Sequence, residues 1–313
     1  MKRLWFPLAV ALLLMLGLGL LAPDWTRFLM TQAIAKGLVV LGVVLLMHAG
    51  LVSFGQGLFY AASAYLVGFA MQLWGVTDGI LLTIAGTLLS MILAAMLGLL
   101  IARYREIFFA MLTLAFTMAL WGVLQKSTGV TGGDDGMGIL QPTFLGYTPS
   151  PTQMSMVLYL YTLAWAAIML FLVFRYLDSP LGYVVRAVRD NEVRVEYLGM
   201  SVHHTIYVTY VLAAGLSGIG GALVAFNVGH ITPELAYWAT SGSFVSVALL
   251  GGSGHVLAPF LGSLVFELLR SEAASRWPEA WQLTMGFLML AVILFMPNGL
   301  WTIVDAAWER VRR

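Results

Sequence analysis

The sequence predicts an all-α polytopic membrane protein with about ten transmembrane helices, some of them short or broken. Three observations support this fold class: 60% of the residues are hydrophobic, only 10% are charged, and the mean hydropathy is +0.90. Soluble domains carry roughly 25% charged residues, and a soluble fold of this length could not bury so much apolar surface. We therefore expect lipid around most of the chain and a single transmembrane domain over 1–313.

The charge, the cysteine count and the missing motifs exclude several functional classes. The net charge is only +1, so no basic tail indicates nucleic-acid binding. Without cysteine there are no disulfides, thiolate metal sites or cysteine nucleophiles. The sequence also lacks the phosphate-binding G-x-x-x-x-G-K-S/T motif, zinc motifs and a nucleophile elbow. We expect a chain that is not an enzyme and that binds no metal or cofactor of its own.

Apolar runs of about 20 residues, the length that crosses a hydrocarbon core, define the predicted spans. The first run follows Lys2 and Arg3. It is long for a signal peptide, and Ala22-Pro23-Asp24 is a poor cleavage site, so we expect an uncleaved helix. The continuous spans are 4–22, 37–54, 58–75, 79–102, 107–124, 154–174, 206–226 and 284–304.

The apolar stretch 241–270 forms either two short crossings or one long broken helix. The residues at its interruption are predicted to act as a hinge or in packing: Gly251, Gly252, Gly254 and Pro259. Basic residues concentrate in cytoplasmic loops, and two crossings place the basic tail at Arg310, Arg312 and Arg313 on the same side as the basic N-terminus. We therefore favour ten helices with both termini cytoplasmic; a re-entrant segment plus one helix is the alternative.

Two hydrophilic segments are long enough to carry function, an external loop at 125–153 and a cytoplasmic segment at 175–205. The external loop combines glycine-freed backbone N–H groups with two carboxylates, which together suit the zwitterion of an amino acid. The residues concerned are Gly132, Gly133, Asp134 and Asp135. The alternative is a flexible turn with solvated charges. A calcium loop is disfavoured because the remaining ligand positions are absent.

The cytoplasmic segment contains signals for short, capped helices. Ser179, followed by proline, is a helix-start signal. Asp190 and Asn191 can cap a second helix with Glu192 in its first turn, and Gly199 can end it in a left-handed conformation. The mixed apolar and charged surface suits docking into a groove of another protein. A solvated loop helix, or one lying on the lipid headgroups, is the alternative.

Few polar groups lie within the predicted spans. An ionised side chain near the bilayer centre costs at least about 2.5 kcal/mol on insertion scales, so His48 and Glu267 stand out. Ser53 and Gln56 are uncharged polar residues, whose insertion into the membrane costs less free energy. Each either lines a solute path or bridges helices, and Glu267 can also be a helix-end group. The glycines between 215 and 221 favour close helix packing.

The cytoplasmic segment carries the motif Gly182-(x)3-Arg186-Ala187-(x)-Arg189-Asp190-Asn191-Glu192-(x)3-Glu196-(x)2-Gly199. This motif resembles the coupling loop of ABC importer permeases, most closely those of the branched-chain amino acid (LivM-type) family. Further stretches resemble the same family in the same order: Arg105-(x)2-Phe108-Phe109-Ala110-Met111-Leu112-Thr113-Leu114-Ala115-Phe116, Thr131-Gly132-Gly133-Asp134-Asp135-Gly136, Leu250-Gly251-Gly252-Ser253-Gly254-(x)4-Pro259-(x)2-Gly262 and Phe295-(x)-Pro297-(x)-Gly299-Leu300.

The resemblance implies a permease subunit in the cytoplasmic (inner) membrane of a bacterium. It also implies a related second permease, two cytoplasmic ATPase subunits that use ATP and Mg, and an extracytoplasmic solute-binding protein. The implied substrate is a branched-chain or related amino acid, with urea, short amides and aromatic acids as alternatives. The candidate ATPase-coupling residues are Gly182, Arg186, Arg189, Asp190, Asn191, Glu192 and Gly199. The candidate residues for the substrate path or the binding-protein face are His48, Ser53, Gln56, Gly132, Gly133, Asp134 and Asp135.

Two other classes of function are compatible with a multi-pass chain. One is a stand-alone secondary transporter or channel for a small polar solute, and the other is a membrane scaffold that transports nothing. The scarcity of ionisable groups within the spans and the capped cytoplasmic helix disfavour the transporter or channel.

Overall fold

A computed structural model describes residues 2–296 and 299–304, and the chain is helical almost throughout. The main helices are α1 (Lys2–Leu21), α2 (Asp24–Met47), α3 (Gln56–Leu73), α4 (Gly79–Ile101), α5 (Glu106–Lys126), α6 (Thr128–Thr131), α7 (Pro151–Leu177), α8 (Pro180–Asp190), α9 (Glu192–Tyr197), α10 (Val202–Val228), α11 (Trp238–Gly251), α12 (Ala258–Arg276) and α13 (Trp281–Phe295). Two 3-10 helices lie at Gly133–Asp135 and Pro233–Ala236, and strand β1 (Met137–Gly138) pairs antiparallel with β2 (His230–Ile231). The predicted basic tail and the motif position Pro297 lie outside the described residues.

Five helices in the described part of the chain are long and apolar enough to cross a membrane, namely α2, α4, α5, α7 and α10. Shorter apolar helices are Leu12–Leu21, Trp238–Gly251 and Trp281–Val292. These helices confirm the predicted fold class, a multi-pass helical membrane protein.

The second predicted span is wrong in its bounds. It was predicted at 37–54, but α2 runs from Asp24 to Met47 and the chain is not helical from 48 to 55. Lys36, which interrupts the apolar sequence just before position 37, is accommodated inside α2. Lys36 Nζ lies 2.6 Å from an oxygen of Glu267, whose side chain is only 4% exposed. A paired charge can remain in an apolar environment where an isolated one is costly.

The stretch 241–270 contains two helices rather than one, and a separate crossing by each of them stays a prediction. α11 ends at Gly251, Gly252 has a φ of 91°, and α12 begins at Ala258 with a proline in its first turn. The Leu300 backbone N–H donates to the Leu250 carbonyl oxygen at 2.8 Å, so the end of the described chain packs against this break.

Helices α2 and α10 form the centre of the bundle and are the most buried of the long helices. α10 packs closely on α2, α3 and α4 through its glycines. A Cβ atom at Gly221 would lie 2.1 Å from the Tyr60 carbonyl oxygen, so a larger residue would separate α10 from α3. This contact confirms the predicted role of the 215–221 glycines.

Candidate functional site

The cytoplasmic segment folds into α8 and α9 through the predicted local signals. The Ser179 hydroxyl accepts a hydrogen bond from the Gly182 N–H at 3.3 Å, which caps α8. Asn191 is extended, and its side chain accepts from the Arg194 N–H at 3.0 Å, which caps α9. Gly199 follows α9 with a φ of 82°. The predicted helix start, second cap and left-handed end are therefore confirmed.

The inner faces of α8 and α9 pack against the end of the helical bundle. Val185, Val188 and Val195 are buried in one cluster with apolar residues at the end of α2 and just after it. A Cβ atom at Gly182 would lie 2.4 Å from the Tyr176 carbonyl oxygen, so only glycine lets α8 lie this close to the end of α7. Any shift of α8 therefore reaches α7 and α10 through direct contacts.

The outer faces of α8 and α9 present charged and large apolar side chains together. Arg186, Arg189 and Asp190 are exposed on α8. On and just after α9, Tyr197 is 88% exposed and Leu198 is 81% exposed. Large exposed apolar groups surrounded by charges are typical of a protein-binding surface.

Glu192 differs from the other candidate coupling residues because its carboxylate forms an ion pair with a side chain at another helix end. The Arg105 Nε atom donates to both Glu192 carboxylate oxygens, at 2.8 and 2.9 Å. Arg105 is the residue before α5, so the contact joins α9 to the α4–α5 turn. Sequence reasoning did not identify this pair, although Arg105 opens one of the motifs that carry the family resemblance.

The polar residues predicted within the spans lie around the break between α2 and α3. His48 directly follows α2, and its Nδ1 atom is 2.8 Å from the Val44 carbonyl oxygen. Ser53 and Gln56 are fully buried. The Ser53 hydroxyl accepts from the Gly55 N–H at 3.1 Å, and the Ser217 hydroxyl of α10 donates to Gln56 Oε1 at 2.5 Å. In this conformation Gln56 bridges helices, and a role of these residues in a solute path stays a prediction.

The glycine loop of the segment 125–153 is folded onto the C-terminal end of α5. Gly132 and Gly133 have φ values of 76° and 58°, and the chain then forms a 3-10 turn and strand β1. Asp134 and Asp135 are exposed, and Gln125 Nε2 of α5 donates to Asp134 Oδ1 at 2.9 Å. The loop therefore presents two carboxylates from a fixed backbone.

Asp78 connects a second part of the external loop to the start of α4 through hydrogen bonds. Its carboxylate accepts from the backbone N–H groups of Ile80 and Leu81 at the start of α4 and from Leu145 in the external loop. These hydrogen bonds, with that from Leu81 foremost, hold the pKa of Asp78 below its usual value. The carboxylate therefore stays ionised and keeps the loop tied to α4.

An apolar cavity of about 310 Å³ lies between α2, α4, α7 and α10. Side chains such as Leu88, Trp165 and Leu212 line it, and no charged side chain reaches it. A zwitterion would find no charge complement there. Within residues 2–296 and 299–304, no group of three or more His, Asp or Glu side chains could hold a metal ion.

The arrangement of many apolar helices, with the short capped helices α8 and α9 between two of them, defines a multi-pass membrane protein. The chain belongs to the family described as branched-chain amino acid transport system permease components, whose model matches residues 26–293. This match confirms the resemblance inferred from the motifs.

Individual relatives agree with this assignment. The chain is 29% identical to the high-affinity branched-chain amino acid transport system permease protein LivM of Escherichia coli, over 80% of this chain and 64% of that protein. It is 26% identical to LivH of the same organism, over 80% of this chain and 85% of LivH. A probable branched-chain amino acid transport permease of Methanocaldococcus jannaschii is 25% identical, over 96% of this chain and 92% of that protein. The chain thus spans less than two thirds of the E. coli LivM length, and no solved structure matches it significantly.

Proposed function

We propose that this chain is the permease subunit of an ATP-binding-cassette importer for branched-chain or related amino acids. Membership of the permease family and the printed names of the relatives support this proposal. The observation that carries it is the α8–α9 segment, which displays Tyr197 and Leu198 to solvent between two membrane helices. Such a surface suits a partner that docks from the cytoplasm.

We propose ten crossings, formed by α1 to α5, α7 and α10 to α13, with both termini cytoplasmic. The short α11 and α12 each cross, which places α8, α9 and the basic tail on the same side. The whole chain then forms one transmembrane domain in the inner membrane of a bacterium.

The proposed complex contains a second, related permease, two ATPase subunits and an extracytoplasmic binding protein. The similarity of this chain to both LivM and LivH, two permease proteins named for the same transport system in one organism, supports the pair of permeases. The ATPase subunits bind ATP and Mg, and this chain holds no cofactor. This division of labour makes the chain a transport subunit rather than an enzyme.

The proposed mechanism is alternating access driven from the cytoplasmic side. Closure of the ATPase pair displaces α8 and α9, whose ATPase contacts include Arg186, Arg189 and Asp190. Because α8 packs on α7 and α10, its displacement tilts those helices. The solute path then opens toward the loaded binding protein.

The external loop is proposed to receive the amino acid from the binding protein. Asp134 and Asp135 face solvent and offer carboxylates to the substrate ammonium group or to the binding protein. The double substitution Asp134→Asn with Asp135→Asn is expected to lower leucine uptake at limiting binding-protein concentration while the complex still assembles. Normal uptake across a range of binding-protein concentrations would contradict this role.

The docking surface is tested by co-purification with the ATPase subunits. Each fully desolvated anchor of an interface contributes about 2 kcal/mol or more, so Tyr197→Asp with Leu198→Asp is expected to reduce the bound ATPase at least about tenfold. Leu145→Asp is the matched control, because Leu145 is 84% exposed in the external loop. Wild-type recovery of the ATPase with the double variant would exclude this surface as the docking site.

A further inference from the structure

Helix α5 is the least buried of the five long apolar helices. Only 22% of its apolar stretch is buried, against 83% for α2 and 78% for α10. Phe109 and Leu124 are its buried apolar anchors, and the Trp121 ring packs near that of Tyr237. Three sets of polar contacts also join α5 to the rest of the chain, near its first residue, its middle and its last turn. Because most of α5 is exposed, it can tilt with less repacking than α2 or α10.

The inner tie is made by a single guanidinium group. Arg105 Nε binds the Glu192 carboxylate, while Arg105 Nη1 donates to the carbonyl oxygens of Ala102 at 2.7 Å and Tyr104 at 3.0 Å. The same side chain therefore joins α9 to the turn between α4 and α5. The pair is partly exposed, with 25% of the Arg105 and 37% of the Glu192 side chain accessible. It therefore contributes little to the free energy of folding, and its role is to position α9 against the turn.

The backbone directly after Arg105 is strained. Glu106, the first residue of α5, has a φ of 49°, a conformation that residues with a side chain rarely adopt. Such a residue persists only where its surroundings hold it in place. The Arg105 hydrogen bonds to both α9 and the turn are adjacent to this residue and hold the strained start of α5.

The middle tie connects α5 to the non-helical break between α2 and α3. The Thr113 hydroxyl accepts from the Phe54 N–H at 3.2 Å, and the Thr117 hydroxyl donates to the Phe54 carbonyl oxygen at 3.0 Å. Both backbone groups of Phe54 are thus satisfied by α5. A displacement of α5 acts directly on the segment that carries Ser53 and Gln56.

The outer tie connects α5 to the external glycine loop. Gln125 binds Asp134, and the Thr131 hydroxyl donates to the Leu124 carbonyl oxygen at 2.6 Å. One helix therefore contacts the cytoplasmic segment, the buried break and the external loop.

We propose that α5 transmits the movement of the α8–α9 segment to the external loop, and that Arg105 is the positioning residue that engages it. This inference rests on the proposed importer function. Displacement of α9 pulls on Arg105 through Glu192. The pull changes the strained backbone conformation of Glu106, and α5 tilts as a result. The tilt carries the 48–55 break and the glycine loop with it. Glu192 thus acts within the chain rather than as a direct ATPase contact.

The test uses the complete complex, with ATP hydrolysis measured with and without the loaded binding protein. Arg105→Gln and Glu192→Gln are each expected to lower the stimulation by about tenfold, within the range usual for coupling between distant sites. The double variant is expected to show no lower stimulation than the less active of the two single variants, because each substitution removes the same contact. Arg103→Gln and Glu279→Gln are matched controls, since both side chains are exposed and lie outside the α8–α9 docking surface.

Rescue distinguishes a positioning contact from a merely structural one. The reversed pair Arg105→Glu with Glu192→Arg is expected to recover part of the stimulation. In Arg105→Cys with Glu192→Cys, a bifunctional thiol cross-linker should restore it, and the native chain contains no competing cysteine. Additive losses without either rescue would overturn the proposal and make Glu192 a direct ATPase contact. A wild-type complex without any stimulation by the loaded binding protein would overturn the importer function itself, before any variant is compared.

Discussion

Two glycines in the cytoplasmic segment serve different physical purposes. Gly182 is required by a close approach, because a Cβ atom there would collide with the Tyr176 carbonyl oxygen. Gly199 is required by its left-handed backbone, and the space around it is open. A substitution at Gly182 must move a helix, whereas one at Gly199 only strains a turn.

We therefore expect Gly182→Ala to be more harmful than Gly199→Ala. The left-handed conformation costs a residue with a side chain roughly 1–2 kcal/mol, which a docked partner can offset. At Gly182 the alanine displaces α8 from α7, so stimulated ATP hydrolysis should fall below that of Gly199→Ala, with Gly286→Ala unchanged because its surroundings are open. Equal losses in the two variants, with equal amounts of assembled complex, would show that α8 does not depend on this contact.

Single residues were predictable from sequence where their roles are local. The caps at Ser179 and Asn191 and the left-handed Gly199 involve partners within a few residues, so the spacing alone identifies them. The Arg105–Glu192 pair joins residues 87 positions apart, and only the packing of α9 beneath α5 brings them together. The sequence of the external loop is compatible with both a substrate site and a flexible turn, because its folding depends on strand pairing with residues near 230.

At the scale of helices, the buried pair of Lys36 and Glu267 explains both the error in α2 and the packing of α12. The two residues lie 231 positions apart, so no local pattern reveals that one charge neutralises the other. Lys36 interrupts the apolar sequence, so the predicted span begins at 37, thirteen residues after the start of α2. Arg270 lies 3.6 Å from the second Glu267 oxygen and adds a further positive charge.

Removing one member of this pair should destabilise the protein more than removing both. A buried charge left without its partner costs about 3–5 kcal/mol, whereas apolar replacement of both partners is often neutral. We expect Lys36→Met or Glu267→Leu alone to lower the thermal denaturation temperature of the detergent-purified chain, and the double variant to recover most of the loss. Glu272→Gln, which removes an exposed pair with Arg276, should change little. A double variant less stable than both single variants would contradict this account of the pair.

For the whole molecule, the sequence predicts that there are many spans but not which of them are central. Every long helix is apolar, so hydropathy does not separate α2 and α10 from the peripheral α4 and α5. The separation comes from small residues, since the glycines of α10 allow three neighbours to approach it. The proposed sidedness of the helices rests instead on the basic residues of the loops.

Cysteine labelling in sealed cells tests the proposed sidedness of α10. Glu196→Cys on α9 and Glu234→Cys in the loop before α11 are both exposed, and the parent chain has no cysteine. An impermeant thiol reagent added outside should label the second variant and not the first. Labelling of both from the same side would mean that α10 does not cross the membrane.

Leucine uptake by the reconstituted complex in liposomes tests the central claim most directly. Radiolabelled leucine, urea and benzoate are offered together with the binding protein outside, and ATP and Mg are supplied to the ATPase side. We predict that leucine accumulates only when ATP is hydrolysed and the loaded binding protein is present, with urea and benzoate transported less. Accumulation driven by an ion gradient through this chain alone, without an ATPase subunit, would contradict the importer function.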